Sequence, residues 1–296
     1  MDRFIVGPHD DGRRLDKVIR ARWPELPLGA MMKGFRKKQI RVDGGRGRYD
    51  QRIREGQEVV VPWEAPQERL SRGVRRDLET LYRDSSVWVV NKPAGLLSQP
   101  DRKGGDSVVS RAWVQGGDFS PQAVHRLDRN TSGVMVLALS GRALRELSDL
   151  WARRTVEKIY WVLVQGSPPR EGRIDAPLRK DERTNVVSVH PDGQPAVTLY
   201  RCLAVGGGVA LCQISLLTGR PHQIRVHMAH LGFPVLGDRK YGGAPVNRTR
   251  KIHRPMLHAR SIRFPYGLVG NLSEVSGIRV LAPIPDDMEA LLPLHP

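Results

Sequence analysis

Apolar positions recur at helical spacing near the start of the chain and then give way to short strand-like runs. From Arg14, the residues Leu15, Val18, Ile19 and Trp23 fall on one face of a helix, and Leu28 to Lys38 supports a second short one. Ile40-Arg41-Val42 reads as a strand entering a tight turn at Asp43-Gly44-Gly45, and Glu58 to Pro62 reads as the closing strand. Pro62 to Arg76 is polar, proline-bearing and aperiodic, as a linker is.

Beyond Asp77 the pattern is strand-rich. LETLYRD and VWVVNKP form two strands joined at Asp84-Ser85-Ser86, and Asp106 to Gln115 reads as a helix. Gly141 to Arg154 places Leu144, Leu147, Leu150 and Trp151 on one helical face, and Ile159 to Val164 is a buried strand. Further strands are predicted at Ala196–Val205, Val209–Leu217, Leu257–Phe264 and near Gly277–Leu281, with a short helix and tail from Pro283. Frequent strands with few helices between them predict an α+β fold on a mostly antiparallel sheet. The expected division is a small module at 1–61, a linker at 62–76 and a larger domain at 77–296, consistent with 296 residues.

Charge adds a partner to this outline. The chain carries 48 Lys and Arg against 31 Asp and Glu, a net +17, which attracts polyanions. Nucleic acid comes first. A membrane surface would require a basic amphipathic helix with a strong apolar face, and none is evident. No apolar run approaches the ~18 residues of a membrane span, and MDRFIVGPHDDGRR lacks the layout of a signal peptide. A cytoplasmic protein that makes no membrane contact is therefore expected. Between Lys33 and Arg54 lie nine basic residues and two acidic ones. Such a run is ordinarily a solvated face; on a compact helix–strand unit of an already basic protein it favours a phosphate-binding surface. Cys202 and Cys212 flank Gly206-Gly207-Gly208 and would face each other on a hairpin unless a bulge intervenes. They are expected to be free thiols.

Two stretches carry candidate chemistry. In AVHRLDRNTSGVMVLAL (123–139), apolar runs flank a polar loop that presents Asp128 between cations. A scaffolded loop suits a reactive carboxylate at the rim of a cleft; it suits equally a local pair with Arg126 or Arg129, or a turn capped through Asn130 and Thr131. In LTGRPHQIRVHMAHLG (217–232), Pro221 fits the first turn of a helix and Gly232 its end. Ile224, Met228 and Leu231 face the core, while His222 and Arg225 share another face. His222, His227 and His230, with His125 and Asp128, allow a hydrolytic metal site on paper, but His222 lies off the face of the other two and no acidic partner is near. Local hydrogen bonding or phosphate contact is the commoner use of such histidines. Downstream, GFPVLGDRKYGG sets glycine turns around Asp238 and Tyr241, in the manner of an ordered loop.

These motifs resemble two known families. RRLDKVIRAR, MMKGFRKKQIRVDGG and REGQEVVV together resemble the alpha-L RNA-binding domain, which implies that Arg36, Lys37, Lys38 and Arg41 touch RNA backbone. NKPAGLLS (91–98), HRLDRNTSG (125–133), EKIYWVLVQG (157–166) and LLTGRPHQIRVHMAHLGFPVLGDRKYGG (216–243), in this order, resemble an RluA-type RNA pseudouridine synthase. The resemblance implies isomerisation of uridine in structured RNA, most often 23S rRNA, by a monomer using no metal and no redox cofactor. It implies that Asp128 acts at ribose C1′, that Tyr160 stacks on the uracil, and that Arg225 pairs with Asp128. It further implies that Arg126 fills the space left by a flipped base, with His125, Arg220 and His222 as additional RNA contacts. Trp161 departs from the smaller residues common after the family's tyrosine. The competing readings are a non-catalytic rRNA-binding assembly factor, against which the joint retention of Asp128, Tyr160 and Arg225 speaks, and a metal-dependent nuclease.

Overall fold

The computed structural model describes residues 1–23, 26–64, 77–101, 105–116, 121–242 and 252–293. The first 64 residues hold a core of their own, in which Leu15, Val18 and Ile19 of α1 (Leu15–Arg22) pack with Met31 and Phe35 of α2 (Leu28–Arg36). Beneath them lies a four-stranded sheet of β1 (Asp2–Ile5), β2 (Arg41–Val42), β3 (Gly45–Arg46) and β4 (Glu58–Val61), in the order β1-β4-β2-β3. β1 was not expected; four residues are too few to show a period, and its pairing partner β4 lies more than fifty positions away. Trp63 still packs on this core, and the Trp23 indole donates to the Glu64 carbonyl at 2.7 Å. The rest of the expected linker, 65–76, lies outside the described residues.

The larger part is a ten-stranded mixed sheet. Its strands are β5 (Glu79–Arg83), β6 (Val87–Lys92), β7 (Gln122–Ala123), β8 (Ser132–Ala138), β9 (Glu157–Gln165), β10 (Glu171–Asp175), β13 (Val197–Gly206), β14 (Val209–Leu216), β15 (Leu257–Arg263) and β16 (Arg279–Leu281). The order is β10-β13-β14-β9-β15-β8-β6-β5, with β16 on β15 and β7 on β8. Every described pairing in it is antiparallel except β15 with β8. A separate hairpin joins β11 (Leu178–Lys180) to β12 (Val187–Val189).

Strand alternation distributes the core over both faces. Val89, Val134 and Val136 face α4 (Gly141–Ala152), whereas Trp88, Val90, Met135 and Leu137 face α3 (Val108–Gly116). On the α3 side, α5 (Gln223–His230) places Ile224 and Met228 against Val162, Val164 and Ile214. Tyr160 is shared by the α3 and α5 clusters, so it stands where the two helical layers meet. Trp161 points to the opposite face, under the Arg260 guanidinium and away from that junction. A short helix, α6 (Asp286–Glu289), follows β16.

Gly133 is required by the one parallel pairing. Its φ is +110°, and a Cβ there would collide with the Ala259 carbonyl on β15. Cys202 pairs directly with Cys212 across β13 and β14, with a bulge just beyond, and both are free thiols. The N-terminal unit meets α4 through an Asp11–Arg142 ion pair at 2.7 Å and a hydrogen bond from Arg145 to the Gly12 carbonyl.

Candidate active site

A cleft of about 270 Å³ opens on the α3/α5 face at the Tyr160 junction. Tyr160, Leu216, Ile224 and Leu257 form its apolar wall, and Arg126, Asp128, Lys180, Asn185, Arg220, His222 and Arg225 bring polar groups to it. An apolar slot rimmed by a few convergent charged groups suits a planar base attached to a sugar phosphate.

Asp128 sits in the loop before β8, and the loop's backbone is stitched from behind by residues 92–98. Lys92, fully buried, donates its three ammonium protons to the carbonyls of Pro93, Arg129 and Thr131 at 2.8–2.9 Å. The Gly95 N–H donates to the Arg129 carbonyl, and Ser98 Oγ both donates to the Leu127 carbonyl and accepts from its N–H. Burial pulls the Lys92 pKa down to about 7, against the opposing pull of the Asp128 charge. These acceptors are main-chain atoms, so the sequence pattern gave Lys92 no chemistry of its own.

Arg225 is held chiefly by Asp238. Its Nε and Nη2 donate to the two Asp238 oxygens at 2.7 and 2.9 Å, while Nη1 reaches Asp128 Oδ2 at 3.4 Å. Asp238 is completely buried and also accepts from the main-chain N–H groups of Lys240 and Tyr241. Burial by itself would raise the Asp238 pKa; the hydrogen bonds and charge of Arg225 outweigh it and hold the carboxyl below its ordinary range. Burial likewise acts to lower the Arg225 pKa, but its bonds to Asp238 and the charges of Asp238 and Asp128 leave it raised. The resemblance implies the Arg225–Asp128 pair; the stronger partner, Asp238, lies thirteen residues further on, in the loop of glycine turns.

His222 lies at the entrance of α5 with φ +55°, a left-handed conformation that costs on the order of 1–3 kcal/mol. The helix therefore begins at Gln223, with Pro221 outside it. This backbone brings His222 Nε2 to 3.9 Å from Asp128 Oδ2, and its Nδ1 lies 2.6 Å from the Tyr241 hydroxyl. Burial lowers the His222 pKa. His227, by contrast, has both ring nitrogens engaged inside the core, by Thr198 and by the Ala176 carbonyl. His230 is exposed at the far end of α5.

Tyr160 projects from β9, in register with Ala259 of β15 and Ile214 of β14. Burial, and secondarily the nearby Asp128 charge, raise its hydroxyl pKa well above the usual value, so the phenol stays protonated. Arg126 is exposed at the rim, and Arg220 lines the cleft while its Nε donates to the Pro195 carbonyl at 3.1 Å. His125, expected to touch RNA, instead stacks on Trp151 at 5.1 Å and accepts the Val136 N–H at 3.1 Å. Burial pulls its pKa to about 3, so the ring is neutral and props the base of the loop. Arg36, Lys37, Lys38 and Arg41 are exposed where α2 runs into β2 on the N-terminal unit.

The sequence model of a family described as RNA pseudouridylate synthase matches residues 86–230, which include Asp128, Tyr160 and Arg225. A protein of Xanthomonas campestris pv. campestris named ribosomal large subunit pseudouridine synthase D is 35% identical over 308 residues, covering 97% of this chain and 90% of that protein. Ribosomal large subunit pseudouridine synthase C of Vibrio cholerae is 32% identical over 272 residues, with 86% of this chain and 85% of the relative covered. Among solved structures, human RNA pseudouridylate synthase domain containing 1 superposes with a TM-score of 0.58 at 27% identity, over 70% of this chain and 83% of the human one. Similarity over nearly the full length, with the same fold beneath it, places the chain in the RluA-type family of RNA pseudouridine synthases.

Proposed function

We propose that this chain isomerises uridine to pseudouridine in 23S rRNA, with Asp128 as the group that acts at C1′. The observation that carries the assignment is the asymmetry of the carboxylate: Arg225 and His222 both approach Oδ2, which leaves Oδ1 as the reacting oxygen. The relatives named as large-subunit rRNA enzymes support the substrate, and the net charge of +17 suits a polyanion.

In this reading a uridine leaves its stack, at a cost of a few kcal/mol that phosphate contacts offset. Its ring packs between Tyr160 and the Leu216, Ile224 and Leu257 side chains, and Arg126 enters the vacated stack. Asp128 promotes departure of uracil from C1′, either by bonding to that carbon or by way of a glycal. The uracil turns, C5 joins C1′, N1 gains a proton and C5 gives one up. Tyr160, held protonated, serves as a platform and hydrogen-bond donor rather than a base. Arg225 keeps the carboxylate oriented throughout. The residues 1–61 act as an alpha-L unit joined by the 62–76 segment to the catalytic domain at 77–296, and Arg36, Lys37, Lys38 and Arg41 grip the RNA backbone. The protein works as a monomer in the cytoplasm, on ribosomal RNA.

The test is release of tritium from C5-labelled uridine in 23S rRNA transcripts. Wild type should release it with the RNA intact, and Asp128→Asn should not. Full activity of Asp128→Asn would overturn the role of Asp128, and tritium release from tRNA transcripts alone would overturn the substrate.

A further inference from the structure

Tyr241 belongs to the GDRKYGG stretch (237–243), whose purpose the sequence left open, and it stands at the centre of the contacts around Asp128. Its hydroxyl accepts the main-chain N–H of Val187 at 3.0 Å and meets His222 Nδ1 at 2.6 Å. Its ring lies beneath the Arg225 guanidinium, 4.9 Å from the centroid, which favours the cation electrostatically. Its own N–H donates to Asp238 Oδ1. One tyrosine thus touches His222, Arg225 and Asp238, and through Val187 it also touches the hairpin whose Lys180 and Asn185 line the cleft.

The hydroxyl has a single proton, and burial keeps it on the oxygen. With the oxygen already accepting from Val187, that proton is the one suited to His222 Nδ1. Burial also favours the neutral form of His222, against the opposing pull of the Asp128 charge. A neutral imidazole that accepts at Nδ1 carries its hydrogen on Nε2, and Nε2 is the atom 3.9 Å from Asp128 Oδ2. The opposite tautomer would aim a lone pair at a carboxylate oxygen. The left-handed backbone at His222 is the strain that aims the ring.

We propose that Tyr241 is a positioning residue for Asp128: anchored on Val187, its hydroxyl fixes His222 as the Nε2–H tautomer, so that a donor N–H of His222 and the Arg225 guanidinium both face one carboxylate oxygen and leave the other to react. The proposal rests on the role assigned to Asp128 and extends it to a residue that touches neither the carboxylate nor the base.

The tautomer can be read without turnover. In full-length protein carrying 15N-labelled histidine, the His222 ring signals, identified by their loss in His222→Gln, should show an Nε2–H tautomer. In Tyr241→Phe, which keeps the ring under Arg225, they should shift toward a mixture. Single-turnover tritium release from C5-labelled 23S rRNA transcript should slow about tenfold in Tyr241→Phe, as loss of orientation does, with RNA affinity within about twofold of wild type. Tyr241→Phe combined with His222→Gln should be no slower than His222→Gln alone, because one residue acts through the other. An Nδ1–H tautomer in wild type, an unchanged rate in Tyr241→Phe, or multiplying losses in the double variant would each overturn the proposal. Asp128→Asn separates the two readings: if it is inactive while Tyr241→Phe matches wild type, only the role of Tyr241 fails, and if Asp128→Asn is active, the underlying assignment fails. Should Tyr241→Phe not fold, the wild-type tautomer spectrum still decides.

Discussion

Arg225 gives its two short hydrogen bonds to Asp238, at 2.7 and 2.9 Å, and only a longer one, at 3.4 Å, to Asp128. The guanidinium is therefore fixed by a buried partner and presented to the half-buried one. Asp238→Asn should destabilise the fold by about 3–5 kcal/mol, the usual cost of breaking a buried pair from one side, and should abolish most tritium release. Asp238→Leu combined with Arg225→Met should recover much of that stability in urea unfolding while staying inactive. Recovery of activity in the double variant would show that neither residue orients Asp128.

Lys92 donates with one ammonium group to two main-chain carbonyls of the Asp128 loop, those of Arg129 and Thr131, and to that of Pro93 beside it. Lys92→Met leaves the Pro93 and Thr131 carbonyls without that donor, while the Arg129 carbonyl keeps the Gly95 N–H, and should cost roughly 2–6 kcal/mol in denaturant unfolding, at about 1–3 kcal/mol for each buried unpaired group. Lys92→Arg should not restore stability, because a planar fork cannot address three acceptors from one nitrogen.

His258 ties β15 to β8 through its Nδ1 and Ser132 Oγ, 2.9 Å apart. Burial is the main reason its folded-state pKa falls from 6.5 to about 4. The folded protein thus holds the ring neutral where the unfolded chain would already bind a proton. Its contribution is complete above pH 6.5 and is lost as the pH falls toward 4, amounting to about 3 kcal/mol at 1.36 kcal/mol per pH unit. Thermal melts between pH 7 and 4 should show a fall in stability that is shallower, by up to one proton, in His258→Gln.

Gly133→Ala asks for a side chain where the β15 backbone already lies, at a φ of +110°. The expected loss is on the order of 3 kcal/mol or more, from strain and the forced parting of two strands. Denaturant unfolding measures the loss, and tritium release should fall with it. Wild-type stability would show that β8 and β15 separate at little cost.

Lys37→Ala and Arg41→Ala should weaken RNA binding at low salt and lower the slope of log affinity against log salt by about one each. The single-turnover rate at saturating enzyme should be unchanged. A wild-type slope in both variants would place the phosphate contacts elsewhere.

Long elements were legible because burial imposes a period. The helices at Leu15–Arg22 and Gly141–Ala152 show it, and the strands at Val87–Lys92, Ser132–Ala138 and Glu157–Gln165, sandwiched between two layers, stand out instead as continuous apolar runs. β1 and the β11–β12 hairpin, three or four residues per strand, did not, because their existence depends on partners distant in the sequence or on a loop. Within the site, Asp128 stood out as a carboxylate on a scaffolded loop. Asp238 and Tyr241 carry their meaning only through residues 13 and 19 positions away. The position of His125 follows from a stack with Trp151, which only the packing of α4 reveals.

The parallel seam between β8 and β15 dictates an order of assembly. Ser132 and His258 meet across 126 positions, and β15 is inserted between β8 and β9 rather than added at an edge. A chain emerging from the ribosome at ~5–20 residues per second has long since released Asp128, Tyr160 and Arg225 before the central strand exists to join their layers. The N-terminal unit, whose core among the described residues draws on positions up to Trp63, has all its strand partners within the first 61 residues and can close early. The N-terminal core can thus close while the cleft still lacks its central strand, and the layers that carry Asp128, Tyr160 and Arg225 are joined only once β15 has arrived.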